Sequence, residues 1–422
     1  MPLVLVAVVL AALNLRLAVA VVSPVLDLLR EDMGWTPAQV GLLGALPPVA
    51  FAVLGVSTPA VARRLGTERA LVAALAVAVA GEVGRSTATG AGAFLAWSAL
   101  ALAGMGAGNV LVPPLVKRWL PDRVATATAA YLVAMALGSA LPPLVVVPLA
   151  QALGWRPALG VWALVGVVAV VPWLVVLRRA RAGTGTSTSA GTGAGTGAAV
   201  LPAVPGGRRG PSVWRSGRAW AMAVTFAATA LTTYVLFAWL PQLLVDAGVG
   251  AAAAGRYLAL FAGLGLVSSF VAPRLTQRAR DPWGLVVAFA AVWAAGLLGL
   301  LLAPTTATAL WAVLLGLGPS AFPMLLTLVT LRSPDPATTA ALSGMVQGTG
   351  YALAAAGPVL VGLLHDATRG WSVPVGALLG VLVVQVVAAR WACRPGLVPS
   401  VLGAARVPEA GGRPAEGRPT AR

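Results

Sequence analysis

Cysteine is almost missing from this chain. Cys393 is the only one, which excludes an intramolecular disulfide and a cysteine-built metal centre. Histidine is equally scarce, and a single His365 leaves no imidazole cluster for a metal or a catalytic relay. Charge is thin as well: only 10% of the 422 residues are charged, 12 acidic against 29 basic. The alternating polar pattern of a soluble domain is replaced by long apolar blocks that bring the hydrophobic share to 59%, the composition of an integral membrane protein. The first block, Leu3 to Ala20, has no basic segment before it and holds Arg16 inside it. It is expected to be a spanning helix rather than a cleaved signal peptide.

What is present is organised by charge. Apolar blocks separated at charged or Pro/Gly-rich breaks predict helices near 3–24, 37–59, 69–85, 91–116, 124–149 and 157–178, then near 219–245, 254–274, 283–303, 306–331, 337–364 and 371–392. The fold class expected is an all-α membrane protein with twelve transmembrane helices. Of the 29 basic residues, 23 fall in alternate connections or the C-terminal tail, on one side. They include Arg63 and Arg64 after the second helix and Lys117 and Arg118 after the fourth. The net charge of +17 is therefore a topology signal, with both termini expected in the cytoplasm of a bacterial plasma-membrane protein. Because these residues are scattered between apolar blocks and form no single basic face, no nucleic-acid partner is expected.

Four segments follow: a six-helix bundle over 1–178, a flexible Gly/Thr/Ala/Ser-rich cytoplasmic linker over 179–218, a second six-helix bundle over 219–392, and a disordered Pro/Gly/Arg-rich cytoplasmic tail over 393–422. The bundles repeat. Gly104-Met105-Gly106-Ala107-Gly108 recurs as Gly316-Leu317-Gly318-Pro319-Ser320, Pro121-Asp122 as Pro334-Asp335, and Gly154-Trp155 as Gly370-Trp371, at matching places in each half. Two matched halves with a site near the midplane between them is a transporter architecture.

Few polar residues sit at that depth. A helix starting near Leu3 carries Arg16 roughly 20 Å along its axis, where an arginine costs at least ~2.5 kcal/mol and normally faces a bundle interior or a wet cavity. It is read as a substrate-binding residue whose planar fork matches an oxyanion, against a structural reading in which it caps carbonyls or pairs with a carboxylate. Glu82 and Arg85, roughly 18 and 22 Å up the third helix, reach the same level. Glu82 has two readings: a carrier of the coupling proton, or a charge-pair partner of Arg16 or Arg85, the pairing weighing more. Gln347 lies roughly 15 Å along its helix among Gly344, Gly348 and Gly350; it either binds a polar solute or bonds between helices. Tyr234 is placed similarly in the seventh helix, Trp239 could wall a cavity, and Asn14 and Asn109 are weaker candidates. His365 reads as an interfacial residue near the end of its helix.

The order of several segments carries a resemblance. Leu13-Asn14-Leu15-Arg16 with Ser23-Pro24-Val25-Leu26 and Ala45-Leu46-Pro47, then Gly104 to Gly108, Pro113, Lys117-Arg118, Ala238-Trp239-Leu240-Pro241, Ala321-Phe322-Pro323 and Gln347-Gly348-Thr349-Gly350-Tyr351 together resemble the cyanate/2-nitroimidazole transporter (CynX/NimT) family of the major facilitator superfamily. The resemblance implies two six-helix halves in a major facilitator fold and a secondary transporter moving small polar or anionic solutes by alternating access. It leaves the solute open, and it adds Tyr351 to the substrate-binding candidates. It implies a gating role for Arg63, Arg64, Lys117 and Arg118, although the aspartate that usually accompanies the basic pair after the second helix is missing.

Competing functions fare worse. An embedded enzyme needs clustered His, Asp, Ser or Cys at depth; a receptor needs a signalling domain that linker and tail do not supply. A cationic-drug exporter wants buried carboxylates without opposing arginines, the reverse of this balance. The partners expected are a small-molecule solute, the bilayer and, for a coupled carrier, protons; the chain is expected to be monomeric and to use no cofactor.

Overall fold

The computed structural model describes residues 2–183, 212–279 and 281–401. The core of the expected linker and the tail beyond 401 lie outside the described residues. Every regular element among the described residues is helical, and twelve rods follow in chain order. In the first half, α1 comes in the pieces Pro2–Asn14, Leu17–Ala20 and Leu26–Met33, with a 3₁₀ turn at Ser23–Val25; α2 is Pro37–Leu65, α3 Thr67–Ser86, α4 Ala91–Trp119, α5 Val124–Leu153, and α6 Trp155–Gly160 with Ala163–Gly183. In the second half, α7 is Gly217–Asp246, α8 Ala251–Arg278, α9 Pro282–Leu302, α10 Thr308–Leu317 with Ala321–Leu331, α11 Pro336–Ala354 with Ala356–Thr368, and α12 Ser372–Ala392.

Local chemistry sets where these rods start and stop. Thr36 and Gln39 cap each other's backbone N–H groups at the start of α2, with Pro37 in the first turn. Asp281 and Asp335 cap α9 and α11, each with a proline next in line. Gly34 ends α1 in the left-handed conformation at φ 64°. Pro47-Pro48, Pro113-Pro114 and Pro142-Pro143 lie inside α2, α4 and α5. In a bundle their freed carbonyls can be satisfied by neighbouring helices.

Eleven of the rods are long and apolar enough to cross a membrane. The twelfth, α3, falls short of that composition because any stretch of 18 residues in it holds at least three of Glu68, Arg69, Glu82 and Arg85. It is nonetheless packed inside the first half, with Glu82 and Arg85 fully buried. A second difference from expectation is α1, which was expected to be one rod over 3–24. Its helical bonding stops at Asn14, Arg16 takes φ −123° and ψ −10°, and the chain turns helical again at Leu17. Gly138 on α5 lets the carbonyl of Leu13 come so near that an added Cβ would lie 2.2 Å from it.

The internal repeat reappears as packing. Gly84 on α3 lies under the indole of Trp97 on α4, and Gly299 on α9 lies under the indole of Trp311 on α10. These pairs occupy matching places in the two halves.

The halves meet unevenly. The end bearing Arg63, Arg64, Lys117, Arg118, Arg274 and Arg278 is called the basic end below. Toward the other end, one continuous apolar cluster joins Val22, Leu29 and Trp35 of the first half to Leu236, Leu240 and Val361 of the second. The Ser23 hydroxyl donates to the Ala238 carbonyl at 2.8 Å across the seam. Gly41 and Gly44 on α2 seat against Val359 and Pro358 on α11, and Gly255 on α8 against the Pro143 carbonyl on α5. Toward the basic end the apolar clusters separate. One, containing Leu71, Leu115 and Trp173, belongs to the first half, and another, containing Met222, Leu328 and Met345, gathers on the second with Phe51 as its one buried member from the first.

Candidate functional site

Where the clusters part, a cavity of about 750 Å³ opens between the halves, within the size range of small-molecule sites. Its wall is built by α1, α2, α4 and α5 on one side and α7, α8, α10 and α11 on the other. Four of its glycines, Gly55, Gly265, Gly344 and Gly348, face open space, so that an added Cβ would meet nothing within 4 Å. They contrast with the glycines pressed across the seam near the opposite end.

Among the described residues, Arg16 is the only charged one on this wall. The break in α1 turns it out of the first bundle. Its guanidinium lies 5.3 Å from the centroid of the Phe51 ring, at cation–π distance, and shares the cavity wall with Tyr234 and Tyr351 from the other half. Among the described residues it has no carboxylate within 4.0 Å. Ring centroids separate Phe51 from Tyr351 by 5.9 Å, Phe51 from Tyr234 by 6.4 Å and the tyrosines by 6.3 Å. Phe226 and Phe322 stand behind Tyr351 at 5.1 and 6.2 Å. Arginine thus presents a cation over the Phe51 ring, which itself packs against Tyr234 and Tyr351.

Gln347 is also on the wall, its amide nitrogen donating to the Ser343 hydroxyl at 2.7 Å. Asn109 lines the same space and ties one N–H to the Met105 carbonyl at 3.1 Å. Arg16, Tyr234, Gln347 and Tyr351 are therefore brought together, although the sequence separates them by more than 330 residues.

Other expected site residues lie elsewhere. Trp239 is 2% exposed in the apolar seam, with its indole N–H on the Pro358 carbonyl at 3.0 Å; it does not wall the cavity. It sits five residues from Tyr234, and five steps of about 100° turn it some 140° away. Asn14 is fully buried behind the cavity wall, close to Gly166 of α6. Glu82 and Arg85 are buried with it inside the first half, and neither pairs with Arg16. Arg85 donates to the carbonyl of Ala18 at 3.3 Å, just past the α1 break. Asn14 lies close enough to act on the Glu82 carboxyl, yet neither of its side-chain atoms nor either Glu82 oxygen makes a well-formed hydrogen bond. His365 is at the end away from the basic end, 3.7 Å from Asp246 and with its ring tilted against Trp371 at 4.3 Å.

At the basic end Arg63, Arg64, Lys117 and Arg118 are exposed. Near the missing aspartate stands a carboxylate that sequence reading passed over. Glu68, in the first turn of α3, holds Arg118 at 3.1 Å and accepts from the Trp119 indole at 3.0 Å. This link joins α3 to α4 within one half and does not cross between halves. Also missed were Phe51, Ser139, Ser268 and Ser343 on the cavity wall. Serine and phenylalanine in an apolar run carry no signal of their own; only helix rotation reveals them.

A profile described as Major Facilitator Superfamily matches residues 8–358. The chain is 36% identical to a 2-nitroimidazole transporter of Escherichia coli (strain K12), covering 90% of this chain and 91% of the relative. It is 34% identical to a Bacillus subtilis (strain 168) transporter named YycB, itself uncharacterised, covering 91% of each. The cyanate transport protein CynX of Escherichia coli (strain K12) is 25% identical over 90% of this chain and 95% of its own length. Among solved structures, a D-xylose-proton symporter superposes with a TM-score of 0.73, covering 94% of this chain and 98% of that one at 11% identity.

Proposed function

Since the chain belongs to the Major Facilitator Superfamily, among transporters of the cyanate and 2-nitroimidazole type, we propose that it carries a small, planar, anionic or strongly dipolar solute across the membrane by alternating access. It is a transporter rather than an enzyme. One observation supports the solute class above the rest: the cavity holds a single charge, Arg16, with no carboxylate on the wall. A guanidinium in a low-dielectric cavity favours an anion or a nitro or carbonyl dipole that its fork can grip in two places. Phe51, Tyr234 and Tyr351 favour a flat partner by stacking. Gln347 supplies an amide to a polar edge. The same absence of carboxylates argues against a cationic-drug exporter.

The access mechanism follows from the uneven seam. With the basic end in the cytoplasm, as the positive-inside rule requires, the cavity opens inward and the glycine contacts of α2 with α11 and α5 with α8 close the outer side. Rocking one half against the other would exchange these conditions around a fixed Arg16. Protons are the coupling ion of this reading. Glu82 carries that role because it is buried at depth beside Arg85 and Asn14 without a well-formed hydrogen bond or an ion pair within 4.0 Å, a setting of intramembrane proton relays.

The test is transport in proteoliposomes with cyanate, small aromatic carboxylates and 2-nitroimidazole, comparing wild type with Arg16→Leu and Arg16→Lys. Leucine should abolish uptake while leaving the thermal unfolding profile intact. Lysine, a point charge without the fork, should weaken binding by roughly 10- to 100-fold. Normal uptake by Arg16→Leu would end the reading.

A further inference from the structure

On the outside of the second half, away from the solute cavity, α7 and α12 leave a groove of about 710 Å³ at the basic end. Its polar end carries Arg218 and Arg394, and no acidic residue lines it. Arg394 is exposed and lies 5.8 Å from the Trp391 ring centroid. Arg218 donates to the carbonyls of Leu397 and Pro395 at 3.1 and 3.0 Å, holding the segment after α12 beside the start of α7. Those bonds satisfy carbonyls without cancelling the positive charge. Trp220 and Trp391 flank the groove, 42% and 48% exposed.

Below the arginines the walls are apolar. Val383, Val384 and Val387 are each more than half exposed, and both α7 and α12 are membrane-spanning by length and composition. From Val383 to Ala392, the end of α12, the chain climbs about 14 Å at helical rise, roughly half the thickness of a 30 Å hydrocarbon core. The groove thus matches one leaflet in length, and its tryptophans stand at the level of the interface.

We propose that this groove is a binding site for one anionic phospholipid from the leaflet at the basic end. The phosphate and its anionic headgroup sit between Arg218 and Arg394, the glycerol region lies against Trp220 and Trp391, and an acyl chain runs along the valines. Among the described residues neither guanidinium has a carboxylate within 4.0 Å, and the two select against a zwitterionic lipid, whose ammonium group would face them. The site is independent of the transported solute, and no residue of the solute cavity takes part in it.

Native mass spectrometry of the detergent-solubilised full chain tests this, with titration by phosphatidylglycerol and phosphatidylcholine of identical acyl chains. The wild type should retain one phosphatidylglycerol with a preference of roughly 10- to 30-fold, which is what two basic residues near an anionic lipid supply. Arg218→Gln with Arg394→Gln should erase the preference, and so should Arg394→Glu alone, which leaves the Arg218 carbonyl contacts in place. Val384→Trp, which fills the apolar wall, should weaken retention of phosphatidylglycerol. Arg16→Leu should leave it unchanged. Equal retention of both lipids by the wild type, or a preference that survives Arg394→Glu and the double substitution, would overturn the proposal.

Discussion

At the scale of single residues, the contrast between Arg16 and Arg85 shows how surroundings assign work to identical side chains. Both lie deep in the bundle. Arg85 is 1% exposed and spends a donor on the Ala18 carbonyl; Arg16 stands on an open wall over an aromatic ring. Arg85 accordingly holds the far side of the α1 break. Glu82, buried between Asn14 and Arg85, separates two expectations through one substitution. Glu82→Gln keeps the shape and removes the exchangeable charge, so accumulation driven by a pH gradient should be lost while solute exchange at equal pH persists; gradient-driven accumulation by the variant would discard the proton role. Cys393 offers a simpler check. It is 4% exposed, and burial, reinforced by nearby Asp281, pushes its thiol up to about 12. Reactivity needs the thiolate, so maleimide labelling of the folded protein at pH 8 should run at least about a hundredfold slower than that of a free cysteine. Labelling should rise as pH approaches 12 or when the chain is unfolded.

At the scale of elements, glycine distinguishes a seam from a wall. Gly44 of α2 seats against Ala238 and Pro358, where an added Cβ would lie 2.7 Å from each. Gly344 of α11 faces open cavity. Gly44→Leu should therefore wedge the closed end apart, lower the stability of this conformation by about 1–3 kcal/mol, and expose engineered cysteines near Ser23 to reagents from the outer side. Gly344→Leu should leave the melting temperature within a few degrees and instead block solute binding. Equal loss of melting temperature in both variants would contradict the assignment of seam and wall. The broken α1 belongs to this scale too. Its interruption is fixed by Gly138 of α5 on one side and Arg85 of α3 on the other, contacts that no local propensity in Leu13 to Leu17 announces.

At the scale of the whole molecule, the apolar cluster that bridges the halves at one end and divides at the other makes the structure asymmetric about its cavity. Alternating access requires the reverse asymmetry to be reachable at modest cost. Spin labels at Ala38 and Asp366 report the closed end, and labels at Arg64 and Arg278 the open end; all four positions are exposed. Binding and turnover of a transported solute should lengthen the first distance while shortening the second. Distances that stay fixed, or change with the same sign, would exclude a rocking motion of the two halves.

Much of this was readable in the chain itself. The apolar blocks set the number and rough limits of the rods, the basic residues marked one end, and the helical rise placed Arg16, Tyr234 and Gln347 near a common depth, because hydrophobic run length, charge and rise per residue are local quantities. Azimuth is not local. Which side of a rod faces a cavity depends on how remote small residues let helices approach, as Gly138 does for Leu13 and Gly166 for Asn14. That is why Trp239 and Asn14 lie off the wall while Phe51 and Ser343 lie on it. Sequence by itself determined a membrane bundle of two matched halves with a few charged residues, Arg16 among them, at its centre. Tertiary structure alone decided which faces meet, because burial favours any apolar contact equally and only shape, summed over distant segments, chooses among them.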